Sequence, residues 1–240
     1  MRVAAASLAG AVLFLWPFIG LGLPSATPAL ALAIGTLLGL LLLEVGTRRL
    51  DSRGLALLAA IAAADAALRM ALVSGIGGFS PVFFLILCAG YVFGPSYGFL
   101  CGGIALVVSA LATGGVGPWL PYQVFAAGWV GVAAGAAGLV RRDVWTLALV
   151  GIVTGYLFGA LLDVWDWTFF RGSGGAGWEP GLQPAVAVAR FARYYLLTSL
   201  AYDSFRAFGN ALMVLLLAAP ILAALRRLKA RFTVEIVPVS

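Results

Sequence analysis

Apolar residues fill this chain in long uninterrupted runs, separated by short clusters of glycine, proline or arginine. A helix needs about 20 apolar residues to cross the hydrocarbon core of a bilayer. The runs supply eight candidates, at about 3 to 20, 28 to 46, 55 to 73, 79 to 93, 96 to 112, 123 to 140, 145 to 165 and 204 to 225. The fourth is the shortest. The pattern predicts an all-α, polytopic membrane bundle of about eight transmembrane helices.

Composition agrees, with 63% hydrophobic and 10% charged residues and a mean hydropathy of +1.07, values that exclude a soluble globular domain. The run from Val3 to Leu23 is long for the apolar region of a signal peptide, and Ser25-Ala26-Thr27 is a poor cleavage site, so a retained first span is expected.

The net charge of +6 is a matter of topology rather than of nucleic acid. With Arg2 placed in the cytoplasm, alternate turns put Arg48, Arg49, Arg53, Arg141, Arg142, Arg226, Arg227, Lys229 and Arg231 on the same side, ten of the 15 basic residues in all. Positive-inside bias then predicts a multi-pass protein of the cell (inner or cytoplasmic) membrane with both termini cytoplasmic. The segment 166–193, with its glycine cluster and prolines, becomes a long extracellular loop, either a functional lid or a disordered stretch.

Missing residues narrow the chemistry. Histidine is absent, which excludes histidine catalysis and histidine ligands to zinc or haem. The one lysine, Lys229, has no Walker A glycines around it, so any ATP-driven energy comes from other chains. Cys88 and Cys101 sit in apolar runs without CxxC spacing and read as buried small hydrophobes. No catalytic residue, metal site or cofactor is expected.

Five constellations remain. In the third span Ala56, Ala60, Ala64 and Ala59, Ala63, Ala67 form two stripes at four-residue spacing, a surface that lets another helix approach closely. Asp65 and Arg69 share that span at i and i+4 and are placed to pair. Between the fifth and sixth spans, Trp119, Tyr122 and Gln123 follow a Gly-Pro turn, either as one wall of a pocket or as part of an interfacial aromatic belt. Asp163, Trp165, Asp166 and Trp167 close the seventh span, as a ligand site or a solvated helix end. Finally Tyr195, Ser199, Tyr202, Arg206 and Asn210, with Asp203 beside them, line one face of a helix. If that helix ran from Arg190 to Leu228 it would be about 58 Å long, so its first turns would stand outside the bilayer or tilt.

From about residue 55 onward the chain resembles the substrate-binding S components of energy-coupling factor (ECF) transporters. The resemblance rests on the alanine-rich span, on the hairpin FSPVFFLILCAGYVFGPSYGFLCGG from Phe79 to Gly103, and on the Gly-Pro-Trp segment before the sixth span. It implies a six-helix core at 51–240 that captures a vitamin or related micronutrient from outside, with cobalamin or another corrinoid as first candidate. It also implies a transmembrane coupling protein and two ABC-type ATPases as partners, the alanine stripes contacting the coupling protein. Two additional spans at 1–50 depart from that family. Three walls of a substrate site are expected: Trp119, Tyr122 and Gln123; Asp163, Trp165 and Trp167; Tyr195, Tyr202, Asp203, Arg206 and Asn210. The alternatives are an autonomous secondary transporter and an intramembrane lipid-modifying enzyme. Residues 1 to 120 and 121 to 240 show no convincing similarity of the kind a secondary transporter with repeats would carry.

Overall fold

A backbone in hydrocarbon must satisfy its own N–H and C=O groups, and a helix does so within one segment. The computed structural model describes residues 2–19, 25–47, 49–71, 83–171 and 175–232, and the described residues form no strand. Its α-helices run α1 (Arg2–Leu15), α2 (Ala26–Gly46), α3 (Ser52–Ala71), α4 (Phe84–Phe93), α5 (Pro95–Thr113), α6 (Leu120–Val140), α7 (Val144–Asp166), α8 (Pro184–Thr198) and α9 (Leu200–Phe232).

Among the described residues, α2, α5, α6, α7 with the 3₁₀ turn that extends it, and α9 are long and apolar enough to cross a membrane. α1 and α4 are apolar but shorter, with 14 and 10 residues. α3 has 20 residues and carries Arg53, Asp65 and Arg69. Of the eight expected spans, five meet a span's length and hydropathy among the described residues, with α1, α3 and α4 packed beside them. The fourth run was expected from residue 79; helix begins at Phe84, and residues 79–82 lie outside the described residues.

Small residues set how closely the helices meet, because in lipid apolar side chains gain little from one another and backbone proximity supplies the packing. α5 packs most extensively on α6, where a Cβ on Gly98 or Gly131 would overlap the other's backbone. α7 pairs with α9 through Gly151, Gly155 and Gly159, spaced four apart, which receive Asn210, Ala207 and Asp203 respectively. The α4–α5 corner turns on Gly94, at φ 102°, with Pro95 opening the next helix. α1 and α2 are not a separate unit: Ala6, Leu13, Phe14, Ala33 and Leu37 belong to the same buried cluster as the residues of α4 to α7.

Polar bonds identify one end of the bundle. Arg2 reaches Thr47 at 2.7 Å and Glu44 at 3.7 Å, joining the start of α1 to the end of α2. Tyr91 donates to the Asp143 carbonyl (2.8 Å), Arg226 to that of Arg142 (3.2 Å) and Lys229 to that of Val92 (2.5 Å). These contacts gather the ends of α4, α6 and α9 where the chain is most basic; Arg48 lies outside the described residues.

A single helix from Arg190 to Leu228 does not form. Ser199, at φ −124° and ψ −25°, interrupts it. The Thr198 hydroxyl bonds back to the Tyr194 carbonyl at 2.8 Å and lies 3.1 Å from the Ser199 hydroxyl, and such local side-chain bonds compete with regular helix. α8 is therefore a separate amphipathic helix, with Tyr194 buried and Val186, Val188, Leu196 and Leu197 exposed.

Candidate functional site

At the end of the bundle away from the basic cluster, rings from three helices stack in series. Phe14 of α1 meets Tyr122 of α6 edge-on at 5.0 Å, Tyr122 meets Trp165 of α7 at 5.3 Å, and Trp165 meets Phe169 at 5.0 Å. Trp129 closes on Phe14 at 5.6 Å. Each such pair contributes about 0.5–1.5 kcal/mol beyond burial. Tyr122 is buried, and its hydroxyl has no hydrogen-bond partner.

Beside the rings, α7, α8 and α9 assemble a polar cluster. Asp203 sits against Gly159, where only a glycine leaves room for its carboxylate. It accepts the Tyr195 hydroxyl at 2.9 Å and is ion-paired with Arg206. The Arg206 guanidinium also lies over Phe158 at 5.3 Å and Tyr202 at 5.1 Å, positions that favour a cation over an aromatic face. Asp163 is buried, faces the Ser199 side chain, and leaves one carboxylate oxygen unpartnered. Tyr156 donates to Ser204 at 3.0 Å, and Tyr194 to Asp166 at 2.7 Å. On α8, burial and then the hydrogen bonds to Asp203 and Asp166 push the Tyr195 and Tyr194 phenols above their ordinary range, so both remain donors.

The structure brings Tyr122 and Trp165 together, and separately gathers Asp163, Tyr195, Asp203 and Arg206. Gln123 follows Tyr122 on α6, half-buried. Trp119, Trp167 and Asn210 lie elsewhere, and Tyr202 stands at the outer edge of the cluster, under the Arg206 guanidinium. Trp119 is 42% exposed and donates its indole N–H to Gly115 at 3.2 Å, within its own turn. Trp167 donates to the Ala176 carbonyl at 2.7 Å and meets Phe191 at 5.4 Å, in a satellite cluster with Tyr194. Tyr202 is 50% exposed. Asn210 donates to the Gly151 carbonyl at 3.1 Å, inside the α7–α9 contact and about two turns from Asp203. The face expected from Tyr195 to Asn210 is therefore split: Asp203, Ala207 and Asn210 turn toward α7, while Tyr202 turns outward.

On α3, all six alanines of the predicted stripes are exposed, and Leu58, Ile61, Ala62, Asp65 and Ala66 are buried. Asp65 and Arg69 attract one another through space but share no hydrogen bond. Arg69 donates instead to Ser109 of α5 at 2.8 Å, and both Asp65 oxygens are buried without a hydrogen-bond partner.

Two contributors were not read from sequence. Phe14 and Phe18 of the N-terminal segment enter the aromatic region, Phe18 meeting Trp178 at 6.1 Å. Nothing in an apolar run distinguishes such rings from lipid-facing ones. The glycine stripe of α7 was legible in GIVTGYLFG, as small residues at four-residue spacing.

The rings pack on one another, with Tyr122 buried among them, beside polar atoms that lack a hydrogen-bond partner. Among the described residues no group of three or more Cys, Asp or Glu is placed to hold a metal ion. No family model matches the chain, and neither curated proteins nor solved structures yield a match.

Proposed function

We propose that the chain is the substrate-binding membrane subunit of an ECF-type importer, taking up a vitamin or related micronutrient. The observation that carries the reading is the α3 surface, where six alanines on adjacent stripes face outward while the opposite face is committed to the bundle. A helix face of small side chains gains most when another helix docks on it, which is what a transmembrane coupling protein requires. In this reading the basic end faces the cytoplasm. The substrate enters at the far end beside Trp165, next to the buried Tyr122, and is oriented by Asp163, Tyr195, Asp203 and Arg206. The extent of aromatic surface favours a large ring system, with a corrinoid first. ATP is hydrolysed by two partner ATPases.

A second reading, an autonomous carrier, is favoured by one feature. Asp65 is a carboxylate buried in the bundle without a hydrogen-bond partner, and intramembrane carboxylates of this kind serve ion or proton coupling in carriers.

Both readings are tested by uptake in cells carrying the chain with and without ATPase and coupling subunits encoded near it. Uptake that needs the ATPases, and that Ala60→Trp/Ala63→Trp abolishes without lowering the thermal midpoint, supports the importer subunit. Uptake by the chain alone, lost in Asp65→Asn, supports the carrier and contradicts the first reading.

A further inference from the structure

The two spanning helices that hold α8 fix its depth in the bilayer. On α7, Trp145 is exposed beside Arg141 and Arg142, and Trp165 and Trp167 follow 20 and 22 residues later, a rise of about 30–33 Å. The hydrocarbon core is about 30 Å thick, and tryptophan collects at both of its boundaries. Trp165 and Trp167 therefore mark the far boundary. On α9, a rise of about 30 Å back from Arg226 reaches Arg206, and Leu200, where the helix begins, stands about 9 Å further out. Both helices put their far ends at the level of the lipid headgroups. α8 is fastened to those ends: Tyr194 bonds to Asp166 at 2.7 Å, Tyr195 to Asp203 at 2.9 Å, and Phe191 meets Trp167 at 5.4 Å.

A helix lying in water turns polar residues outward and apolar ones inward. α8 does the reverse. Val188 and Leu197 are 69% and 75% exposed, with Val186 and Leu196 exposed as well. The other exposed residues of α8 are alanines, Pro184, Arg193 and Thr198. Its inward side carries the two tyrosine hydroxyls and Arg190, which donates to the Gly177 carbonyl at 3.2 Å and to Glu179 at 3.1 Å. The exposed apolar residues continue past the break at Ser199 onto Leu200, Phe205 and Phe208 of α9, a helix that enters the hydrocarbon. That continuity decides the occupant: the lipid that covers α9 also covers α8.

We infer that α8 is an interfacial helix, with Val186, Val188, Leu196 and Leu197 set into the lipid leaflet at the end of the bundle away from the basic cluster. Helices of this kind lie along the boundary with their apolar face about 5–10 Å into it. The bilayer thereby holds Tyr194 and Tyr195 on Asp166 and Asp203. The second half of the segment expected as an extracellular loop thus returns to the membrane. The inference goes beyond the importer reading and is independent of it, because it uses neither the alanine face nor the binding of a substrate.

The test is depth-resolved fluorescence quenching of the full chain in phosphatidylcholine vesicles, with an environment-sensitive dye on one introduced cysteine at a time. Cys88 and Cys101 are fully buried and leave the introduced thiol as the reactive one. Val188→Cys and Leu197→Cys are compared with Glu179→Cys in the preceding loop and with Leu216→Cys at the middle of α9. Iodide in the water is expected to quench the dyes at Val188→Cys and Leu197→Cys at least about threefold less than at Glu179→Cys. Lipids with a nitroxide near the headgroup are expected to quench them at least about twofold more than lipids with one near the chain end, the reverse of the order at Leu216→Cys. Val186→Cys and Leu196→Cys are the second pair, and each variant is read at an unchanged thermal midpoint. Iodide quenching equal to that at Glu179→Cys places the helix in water and overturns the inference. Stronger quenching from the chain end, which places it in the hydrocarbon core, overturns it too. So does shielding from iodide without quenching by either lipid, which assigns the face to a protein partner.

Discussion

Gly155→Ala is the substitution whose effect follows most directly from the geometry. A Cβ at Gly155 would lie 2.7 Å from the Cα of Ala207, 3.0 Å from its nitrogen and 3.1 Å from its Cβ, where ordinary contact begins at 3.4 Å. The nearest atoms are backbone and cannot rotate away, so α7 and α9 must part by about 0.7 Å. The Asn210–Gly151 hydrogen bond, now 3.1 Å, would stretch to about 3.8 Å and be lost. Overpacking costs about 1–3 kcal/mol and the hydrogen bond about 1 kcal/mol, while alanine returns about 1 kcal/mol in helix propensity. The net expectation is a destabilisation of about 1–3 kcal/mol. Gly35 on α2 has nothing within 4 Å of its would-be Cβ, so Gly35→Ala is expected to stabilise by about 0.4–1 kcal/mol. Thermal unfolding of both variants in the same detergent, followed by tryptophan fluorescence, should separate their midpoints by several degrees, at about 2–4 °C per kcal/mol for a chain of this length. A midpoint for Gly155→Ala at or above that of the unsubstituted chain would refute the close α7–α9 contact.

The Asp203–Arg206 pair is buried on both sides, with side chains 2% and 11% exposed. Asp203→Asn and Arg206→Met should therefore each cost about 3–5 kcal/mol and the double variant clearly less than their sum, as a double-mutant cycle would show; additive losses would mean the two groups do not act as a pair. Phe14→Ala removes the ring that covers Tyr122 and Trp129. It is expected to destabilise by about 3 kcal/mol and to red-shift the tryptophan emission, and an unchanged spectrum would place α1 away from the aromatic cluster. Asp143 caps α7, accepting the Thr146 N–H and hydroxyl at 2.8 Å each, bonds that hold its carboxyl below the usual range. Because the folded-state value is the lower one, the cap's stabilisation is complete above about pH 4 and is lost as pH falls through that depressed value. Acid unfolding of Asp143→Asn should lack this increment, and identical acid profiles would show that the cap contributes nothing.

The helical architecture was legible in the sequence because burial in lipid leaves a coarse signature: long apolar runs, glycine and proline at the corners, and arginines at one end. Gly94-Pro95 marked its corner correctly, since only glycine adopts its φ of 102° without strain and proline suits the first helical position. Side-chain partners were less legible. Asp65 and Arg69 lie one turn apart, yet Arg69 turns to Ser109, a partner forty residues away that helix periodicity does not register. The polar face of the last helix was assigned from one continuous periodicity, and the break at Ser199 resets the helical phase, so Tyr195 still meets Asp203 while Tyr202 faces outward. Trp119 and Trp167 were expected at the site from their places in a Gly-Pro turn and at the end of the seventh span; each indole N–H takes a nearby carbonyl, a partner that sequence position does not reveal.

Binding of a micronutrient at the aromatic and carboxylate cluster tests the central proposal most directly. The purified full chain, folded in detergent, would be titrated with a panel of vitamins including cobalamin, with tryptophan fluorescence as the readout. The account predicts saturable quenching by one of them and at least about a tenfold loss of affinity in Asp163→Asn and in Tyr122→Ala at an unchanged fold. Saturable binding that both substitutions leave intact, or no binding to any member of the panel by the folded chain, would contradict it.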